Sequence, residues 1–426
     1  MIKILATIAK QKIRQHKPKI IAVTGSVGKT STRTAIAIAL AAKYRVRTPY
    51  KNYNNEFGLP LAILGEQSPG KNLWGWMKLV VRAYKTKDMP EYLVLEYGAD
   101  RPGDIGFLTN IAKPDVAVIT AVSAVHLANY PSWEALVSEK ASLGLAVPSD
   151  GLVVLNADDQ AVASMQNRYQ APVVLYGFRG GEAVASELKL FTAQEESFDI
   201  GEAFAITKAK ISYKGDVAEL ALTNCVSPTL VASCTAAMVV AEHFGISLAV
   251  SGAALSKELQ PVNGRLRPLP GIKGSLIIDD SYNAAPASVT AALEALNQFE
   301  PGEERDRRIA VLGDMAELGP RTEQEHRAIG RKVAQVADLF VAIGANMRLA
   351  GEAAVAAGMA EDKIKYFANS VEAGDYLDPI VKTGDVILVK GSQSMRTERV
   401  VKALMAEPQR ATELLVRQER YWLNRR

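Results

Sequence analysis

The chain has 426 residues, 48% of them hydrophobic and 23% charged, which is ordinary for a globular protein and long enough for two or three domains with full cores. A net charge of +4 is too mild to indicate a nucleic-acid partner, although it suits anionic substrates. The two cysteines, Cys225 and Cys234, fit neither a disulfide framework nor a metal-ligand spacing, so we expect a cytoplasmic protein.

Two basic segments near the start are predicted to be helical. Residues 1–17 lack the apolar core and the cleavage site of a signal peptide, and no stretch of the chain is long enough to span a bilayer. Residues 73–85 are basic, amphipathic and rich in aromatic side chains. We expect this helix to pack on its domain, and the alternative is contact with a membrane surface or a partner.

A glycine-rich loop lies between a predicted strand and a predicted helix. The loop Thr24-Gly25-Ser26-Val27-Gly28-Lys29-Thr30-Ser31 follows a β-branched apolar run and precedes helical residues 32–42. Backbone N–H groups of such a loop cradle polyphosphate, while Lys29 reaches the β- and γ-phosphates and the Thr30 hydroxyl holds Mg²⁺. Val23 stands where the strict pattern has glycine, so this is a tighter variant. It predicts nucleotide binding; the structural alternative is a surface turn.

Short apolar runs alternate with helix-length segments along the first part of the chain. Residues 92–96, 116–120 and 152–156 are predicted to be buried parallel strands, with ligands at their carboxyl ends. From about residue 180 to 224, alternating apolar and polar residues predict a small antiparallel insert. An alanine-rich helix is predicted at 230–244.

A second α/β unit is predicted from about residue 268. Its strands are expected at 275–279, 308–312, 339–343 and 385–389, after a hinge at 260–265. The fold class is therefore α/β: a P-loop central domain with a mostly parallel sheet and a small antiparallel insert, then a Rossmann-like C-terminal α/β domain. The predicted boundaries are a basic segment at 1–17, a central domain at 18–264 and a C-terminal domain at 265–426.

Three side chains of the central domain are candidates for metal or proton chemistry. Glu96 ends a buried strand, where a carboxylate needs a cation or hydrogen-bond donors. His126 follows the next strand, so both are expected near Thr30 and could share Mg²⁺ with it. His126 alone is more simply a hydrogen-bonded loop histidine. The pattern around Lys140 by itself favours a surface lysine.

Polar turns follow three predicted strands of the second unit. These turns are 279–283, 313–319 and 390–392. Because the carboxyl ends of parallel strands meet at one edge of a sheet, together they predict a site, although each turn alone could be a helix N-cap.

These residues, in this order, resemble the Mur ligases, the ATP-dependent amide-bond enzymes of peptidoglycan synthesis, over about residues 18–405. Four blocks carry the resemblance: 24–31, 95–99, 279–286 and 311–319. One family member, which adds D-alanyl-D-alanine to a UDP-N-acetylmuramoyl-tripeptide, is especially similar. That similarity lies in residues 311–319, residues 389–395 and the asparagines at 54 and 55.

The resemblance implies a mechanism and roles for individual residues. ATP phosphorylates the carboxylate of the acceptor peptide, and the amine of the dipeptide attacks the acyl phosphate. The cofactors implied are ATP and Mg²⁺. Catalytic roles fall on Lys29, His126, Lys140 and Arg265. The implied metal ligands are Thr30, Glu96, His126 and a carbamylated Lys140. The implied nucleotide contacts are the loop 24–31, Asp280 and Asn283, and the implied substrate contacts are Asn54, Asn55, Asp314, Glu317, Lys390 and Ser392.

Two departures from the family pattern shape the remaining expectations. The phosphate loop begins near residue 24, where the family usually has a preceding UDP-sugar-binding domain. We expect an acceptor that resembles a UDP-N-acetylmuramoyl-tripeptide; the alternative is a different carboxylate acceptor without UDP, and a partner could supply the UDP-binding function. Leu230 and Ser233 replace the two asparagines that contact adenine in the family. A nucleotide-binding partner subunit without ligase activity is the alternative to a ligase.

Overall fold

A computed structural model describes residues 2–49, 53–70, 72–86, 88–123, 129–192, 205–299 and 307–423. The chain divides into two compact units. The first comprises Met1–Leu188, Ala209–Leu220 and Thr229–Leu259, and the second comprises Lys189–Lys208, Ala221–Pro228 and Gln260–Arg426. No helix in the described ranges is long and apolar enough to cross a membrane.

The first part of the chain alternates strands and helices, as the sequence pattern predicts. Its helices are α1 (Ile2–His16), α2 (Lys29–Ala41), α3 (Gly58–Leu64), α4 (Leu73–Lys85), α5 (Asp104–Ile111), α6 (Trp133–Leu145), α7 (Gln160–Ala163), α8 (Pro228–His243) and α9 (Leu248–Glu258). Its strands are β1 (Lys19–Thr24), β2 (Val46–Arg47), β3 (Tyr92–Glu96), β4 (Val116–Ile119), β5 (Leu152–Asn156), β6 (Val173–Gly177), β7 (Ala183–Thr192), β8 (Ala205–Tyr213) and β9 (Asp216–Thr223).

Among the described residues these nine strands form one sheet in the order β2-β3-β1-β4-β5-β6-β7-β8-β9. β1 lies between β3 and β4 and is parallel to both, with Val23 opposite Glu96 and Thr24 opposite Ile119. The carboxyl ends of these three strands therefore meet at one edge. β8 and β9 are joined by Lys214 and Gly215, both with positive φ, which makes this pair an antiparallel hairpin.

The central strands are continuous apolar runs because both faces of the sheet are buried there. Ile21, Val94 and Val118 are completely buried, and each such side chain contributes about 1.5–3 kcal/mol of transfer free energy. Helix α2 adds Ile36 and Leu40 to the same core. This packing fixes the loop between β1 and α2 at the edge of the sheet.

The second unit has its own sheet. Its strands are β10 (Arg267–Pro270), β11 (Leu276–Asp280), β12 (Arg308–Gly313), β13 (Leu339–Ile343), β14 (Ile364–Phe367) and β15 (Val386–Lys390). Its helices are α10 (Pro286–Asn297), α11 (Thr322–Val336), α12 (Met347–Ala356), α13 (Ser370–Ile380), α14 (Glu398–Leu404), α15 (Ala411–Leu414) and α16 (Arg420–Leu423).

The strand order of the second sheet is β10-β11-β15-β12-β13-β14, with only the β10–β11 pair antiparallel among the described strands. The last strand, β15, thus lies between β11 and β12. This insertion, which the sequence pattern does not reveal, places the ends of β11, β15 and β12 side by side. The predicted α/β fold class is confirmed for both parts of the chain.

Candidate active site

Two glycines give the loop between β1 and α2 its shape. Gly25 has φ 145° and Gly28 has φ 85°, a region that L side chains rarely adopt. A Cβ atom at Gly25 would lie only 2.1 Å from the Thr120 hydroxyl oxygen. The backbone can therefore approach β4 closely only because glycine stands there.

The rest of the loop is held by the ends of the neighbouring strands. The buried Thr24 hydroxyl donates to the Tyr97 carbonyl oxygen at 2.8 Å, and the Thr120 hydroxyl donates to the Val27 carbonyl oxygen at 2.5 Å. The backbone N–H of Ser26 donates to the Ala121 carbonyl oxygen at 2.7 Å. Ser31 lies in the first turn of α2. The loop is thus a preorganised cradle at a helix N-terminus, the arrangement that binds phosphate.

Lys29 bends back over this cradle. Its Nζ atom donates to the carbonyl oxygen of Gly25 at 2.7 Å and to that of Ser26 at 3.4 Å. The ammonium group therefore lies over the loop, and a cation at such a position stabilises the oxygens of a phosphoryl group during its transfer.

Glu96 and Thr30 meet at the carboxyl edge of the sheet, as predicted. The Thr30 hydroxyl donates to Glu96 Oε2 at 3.0 Å, and the Asn54 side-chain amide donates to Glu96 Oε1 at 3.0 Å. The Arg33 guanidinium lies 4.0 Å from the same carboxylate. The Thr30 hydroxyl and the Glu96 carboxylate offer oxygen ligands of the kind that Mg²⁺ prefers when phosphates supply the rest of its coordination.

The donor set by itself is small. Within the described ranges, no three His, Cys, Asp or Glu side chains are grouped closely enough to hold a metal. A single carboxylate and a hydroxyl fit a Mg²⁺ ion bound jointly with a nucleotide better than a permanently bound ion. His126, another of the predicted ligands, lies outside the described residues.

The two predicted asparagines have different surroundings. Asn54 contacts Glu96, whereas the Asn55 side-chain oxygen accepts hydrogen bonds from the backbone N–H groups of Phe57 and Gly58 at 3.2 and 2.9 Å. Asn55 therefore shapes the turn that begins α3.

Lys140 is buried, and the surface position favoured by its local pattern is wrong. Only 3% of the residue is exposed, and its Nζ atom donates to the Ala99 carbonyl oxygen at 3.1 Å. Burial, together with the positive charge of Lys29, lowers the pKa of Lys140 from 10.5 to about 7. A neutral amine, the nucleophilic form of lysine, is therefore available near neutral pH.

The neighbouring residue on α6 fixes the helix that carries Lys140. The two carboxylate oxygens of Glu139 accept hydrogen bonds from the backbone N–H groups of Gly103 and Ile105, at 2.9 and 2.8 Å. These donors lie at the N-terminus of α5, where an anion is favourable. The contact explains how a lysine in a helical polar run becomes buried.

In the second unit, the strand ends bring Asp280 and Lys390 together. The Lys390 Nζ atom lies 2.6 Å from Asp280 Oδ2 and donates to the Asn283 carbonyl oxygen at 2.7 Å. Burial raises the pKa of Asp280, although the Lys390 cation acts in the opposite direction. The predicted turns after β11 and β15 therefore form one polar cluster.

Asp279, the neighbour of Asp280, anchors the segment that precedes β10. Its carboxylate accepts hydrogen bonds from the backbone N–H groups of Gly264 and Ser281, both at 3.1 Å. Complete burial nevertheless raises the pKa of Asp279 to about 6. Its role is to fix the chain around Gly264, which has a positive φ of 67°.

The turn after β12 is organised by side-chain caps. Asp314 accepts hydrogen bonds from the backbone N–H groups of Asn346 and Met347, at 3.3 and 2.8 Å, at the start of α12. The Ser392 hydroxyl oxygen accepts one from the Ala316 N–H at 2.7 Å. Glu317 is exposed and has a φ of 63°. Asp314 and Ser392 thus shape this edge of the site, and Glu317 faces solvent.

Arg265 and Arg417 both lie against Tyr282. The Arg265 guanidinium is 4.5 Å from the centre of the Tyr282 ring. Arg417 donates to the carbonyl oxygen of Ser281 at 2.9 Å and to that of Tyr282, and it lies 3.1 Å from the buried Glu398 carboxylate. The turn that follows β11 is therefore clamped by cations from two distant parts of the chain.

The positions that replace the family's adenine-contacting asparagines lie on α8. The Ser233 hydroxyl accepts a hydrogen bond from Thr32 at 3.0 Å and donates to the Thr229 carbonyl oxygen at 2.9 Å. Leu230, three residues earlier, is an apolar residue of the same helix. Ser233 thus joins α2 to α8.

Sequence reasoning missed two cations of these clusters. Arg33 lies three residues after Thr30, which places both on one face of α2, and this spacing was the available signal. Arg417 gave no local signal, because the turn that it holds, at Ser281 and Tyr282, lies more than a hundred residues earlier in the chain.

Comparison with family models covers both parts of the chain. Residues 23–218 match the Mur ligase middle domain, and residues 264–393 match the Mur ligase glutamate ligase domain. The matched ranges include the loop, Glu96 and Lys140 in the first part, and Asp280, Asp314, Lys390 and Ser392 in the second.

Two of the similar proteins share one name. The UDP-N-acetylmuramoyl-tripeptide--D-alanyl-D-alanine ligase of Mycobacterium bovis is 33% identical over 404 residues, which cover 91% of this chain and 73% of the relative. The ligase of the same name from Bacillus subtilis is 28% identical, covering 95% and 79%. The crystal structure of MurF ligase from Thermotoga maritima in complex with ADP superposes with a TM-score of 0.75 at 26% identity, covering 94% of this chain and 83% of that one.

Proposed function

The chain belongs to the Mur ligase family, and from this premise we propose that it is an ATP-dependent peptide ligase of peptidoglycan precursor synthesis. The reaction proposed is the addition of D-alanyl-D-alanine to a UDP-N-acetylmuramoyl-tripeptide, with ADP and phosphate as products. The observation that carries the proposal is the phosphate cradle, which lies beside the Thr30–Glu96 pair and under the Lys29 ammonium group.

The chemistry follows from these groups. The loop N–H groups and Lys29 bind the nucleotide phosphates and stabilise the charge on the γ-phosphoryl group as it moves to the acceptor carboxylate. The dipeptide amine then attacks the acyl carbon, a C–N bond forms, and phosphate leaves as the C–O bond breaks. Mg²⁺, held by Thr30 and Glu96, would neutralise phosphate charge. His126 is proposed as a further ligand of the metal site.

Lys140 is proposed to act as a carbamate. Its amine has a pKa of about 7, so a large share is unprotonated near neutral pH and can add to carbon dioxide, losing a proton to give an anionic carbamate. A carbamate anion near Lys29 would replace the repulsion between two ammonium groups by an attraction between opposite charges. It would also supply oxygen ligands for a second Mg²⁺.

The second unit is proposed to bind the peptide substrates and part of the nucleotide. We assign nucleotide contacts to Asp280 and Asn283 and a role near the γ-phosphate to Arg265. Asn54, Asn55, Asp314, Glu317, Lys390 and Ser392 complete the proposed substrate contacts. The proposed domain limits are residues 18–264 for the ATP-binding domain and 265–426 for the second, after the basic segment 1–17.

Product analysis tests this function. Purified protein, ATP, Mg²⁺ and D-alanyl-D-alanine are mixed with a UDP-N-acetylmuramoyl-tripeptide or with the same tripeptide lacking UDP, and phosphate release and product mass are measured. A pentapeptide product that depends on ATP supports the proposal, and comparison of the two acceptors shows how much UDP contributes. If neither acceptor gives product, alone or with added cell extract as a source of a partner protein, the proposal is wrong.

A further inference from the structure

Helix α4 carries its large apolar side chains on the outside. Leu73, Trp74, Met77, Val81 and Tyr84 are all exposed, with Leu73 at 78% and Trp74 at 72%. On a helical wheel of about 100° per residue, the five fall within one arc of about 100°. The opposite side of the helix buries Leu79 and Ala83 against the first unit. Helix α4 thus packs on its domain with one face and presents a second apolar face to solvent.

Helix α1 extends this apolar surface. Between the two helices lies a groove of about 610 Å³, lined on the α1 side by Ile4 and Ile8 and on the α4 side by Val80, Val81 and Tyr84. Ile4 is itself half-exposed. The apolar surface therefore continues from one helix to the other, and we call it the α1/α4 face.

The two helices are locked together as one platform. Lys12 is a buried residue of α1, and its Nζ atom donates to the carbonyl oxygens of Tyr84 and Thr86, at 2.9 and 2.5 Å. These carbonyls lie at the C-terminus of α4, where a cation is favourable. The Trp76 indole N–H anchors the other end by donating to the Gly70 carbonyl oxygen at 3.0 Å.

The charges on this platform have one sign. Neither helix contains an aspartate or a glutamate, whereas together they contain seven lysines and arginines. Lys3, Lys78 and Lys85 are exposed beside the apolar face. The Arg82 guanidinium, by contrast, forms an ion pair with the Glu66 carboxylate, with 2.6 Å between nitrogen and oxygen. An apolar strip bordered by lysines matches an anionic lipid surface, because the side chains enter the acyl boundary while the ammonium groups meet headgroup phosphates.

We propose that the α1/α4 face binds the surface of anionic phospholipid membranes. Tryptophan and tyrosine at this face favour the membrane–water interface, where an apolar ring and a polar group are both satisfied. The binding is peripheral and reversible, since the exposed strip is one helix face and three bordering lysines. It places the first unit at a membrane surface and does not depend on the proposed reaction.

Sedimentation with vesicles tests the proposal. The full chain is mixed with vesicles of equal parts phosphatidylglycerol and phosphatidylcholine, or of phosphatidylcholine alone, and the bound fraction is measured at low and high salt. We expect binding to the anionic vesicles at low salt and a loss of at least about tenfold in the double variant Lys78→Glu/Lys85→Glu, since each lysine near such a surface adds roughly fivefold. Trp74→Ser/Met77→Ser should lose a similar factor.

Matched variants elsewhere on the chain serve as controls. Lys257→Glu/Lys402→Glu makes the same charge change at exposed positions outside α1 and α4, and Val217→Ser/Val250→Ser removes exposed apolar side chains at other sites. Both should bind vesicles like the unaltered protein. Circular dichroism and ATP-dependent phosphate release should be unchanged in all four variants.

Three results would overturn the proposal. The first is no binding to anionic vesicles at low salt. The second is binding that the α4 variants and the control variants reduce equally. The third is self-association in solution, measured by light scattering, which the α4 variants abolish, together with no binding of the protein to vesicles. The face would then be an interface between two copies of this chain.

Discussion

The Thr30 hydroxyl and the Glu96 carboxylate lie 3.0 Å apart, although 66 residues separate them in the chain. The pairing of β1 with β3 makes this contact possible, because Glu96 lies opposite Val23, near the end of β1, and the loop from β1 leads to α2. Glu96→Gln keeps the size of the side chain but removes its charge. We expect the apparent affinity for Mg²⁺ in the ligation assay to fall by at least about 100-fold, because a metal ligand loses its anionic oxygen.

The measurement is a Mg²⁺ titration of phosphate release at saturating ATP. Glu258→Gln, which makes the same change at an exposed carboxylate on α9, should leave the titration unchanged. An unaltered Mg²⁺ dependence in Glu96→Gln would remove this residue from the proposed metal site.

Lys29 is expected to contribute to turnover far more than to folding. Its ammonium group donates to the loop carbonyls of Gly25 and Ser26, at the place where we propose that the nucleotide phosphates bind. Lys29→Ala should reduce the rate of ATP-dependent ligation by about 10²–10³-fold, the usual effect of losing one donor to a charged transition state. Lys113→Ala, at an exposed position, is the control. Thermal unfolding at a similar temperature in both variants, with normal turnover in Lys29→Ala, would contradict the role.

The lowered pKa of Lys140 predicts a pH dependence of stability. In the folded protein the amine is neutral above about pH 7, whereas in the unfolded chain it stays protonated up to about 10.5. Unfolding therefore takes up a proton between these values, and the contribution of Lys140 to the free energy of unfolding increases with pH there, by at most about 1.4 kcal/mol per pH unit.

Lys140→Met should remove this contribution and stabilise the protein most at the lower end of the window. The measurement is urea unfolding at two pH values within it, in buffer free of carbon dioxide so that no carbamate forms. Lys257→Met, at an exposed lysine, should keep the pH dependence of the unaltered protein. Equal slopes for Lys140→Met and the unaltered chain would show that the buried amine does not titrate in this range.

The buried pair of Lys390 and Asp280 predicts a strong coupling. Lys390→Met leaves the Asp280 carboxylate without its cation, and loss of one member of a buried ion pair destabilises by about 3–5 kcal/mol. Asp280→Asn likewise leaves the buried Lys390 cation without its anionic partner. The double variant should be less destabilised than the sum of the two single variants, because neither unpaired charge remains. Additive effects in urea unfolding would show that the two side chains do not interact in solution.

The fold was predictable from the sequence where the signal is local. The β-branched runs of β1, β3 and β4 are long, apolar and buried on both faces, so periodicity identified them, and the loop at 24–31 followed from its glycines and its position between β1 and α2. The membership of the Mur ligase family, which the sequence blocks indicated, is confirmed by both family models.

The parts that escaped prediction depend on contacts between distant residues. The burial of Lys140 comes from the packing of α6 on α5, which Glu139 fixes through backbone N–H groups of another helix. The pairing of Asp280 with Lys390 requires β15 to insert beside β11, and no local pattern encodes the order of strands. The role of His126 stays a prediction.

The contacts of Arg417 have a consequence for how this protein is made. Its guanidinium holds the turn at Ser281 and Tyr282, 136 and 135 positions earlier in the chain. A ribosome synthesises all six described strands of the second sheet before it reaches this arginine. Because Arg417 follows every one of these strands in the chain, the turn beside Asp280 gains this clamp only after the whole sheet has been synthesised. A chain that ended just before Arg417 would contain all six strands but would lack the hydrogen bonds that hold this turn.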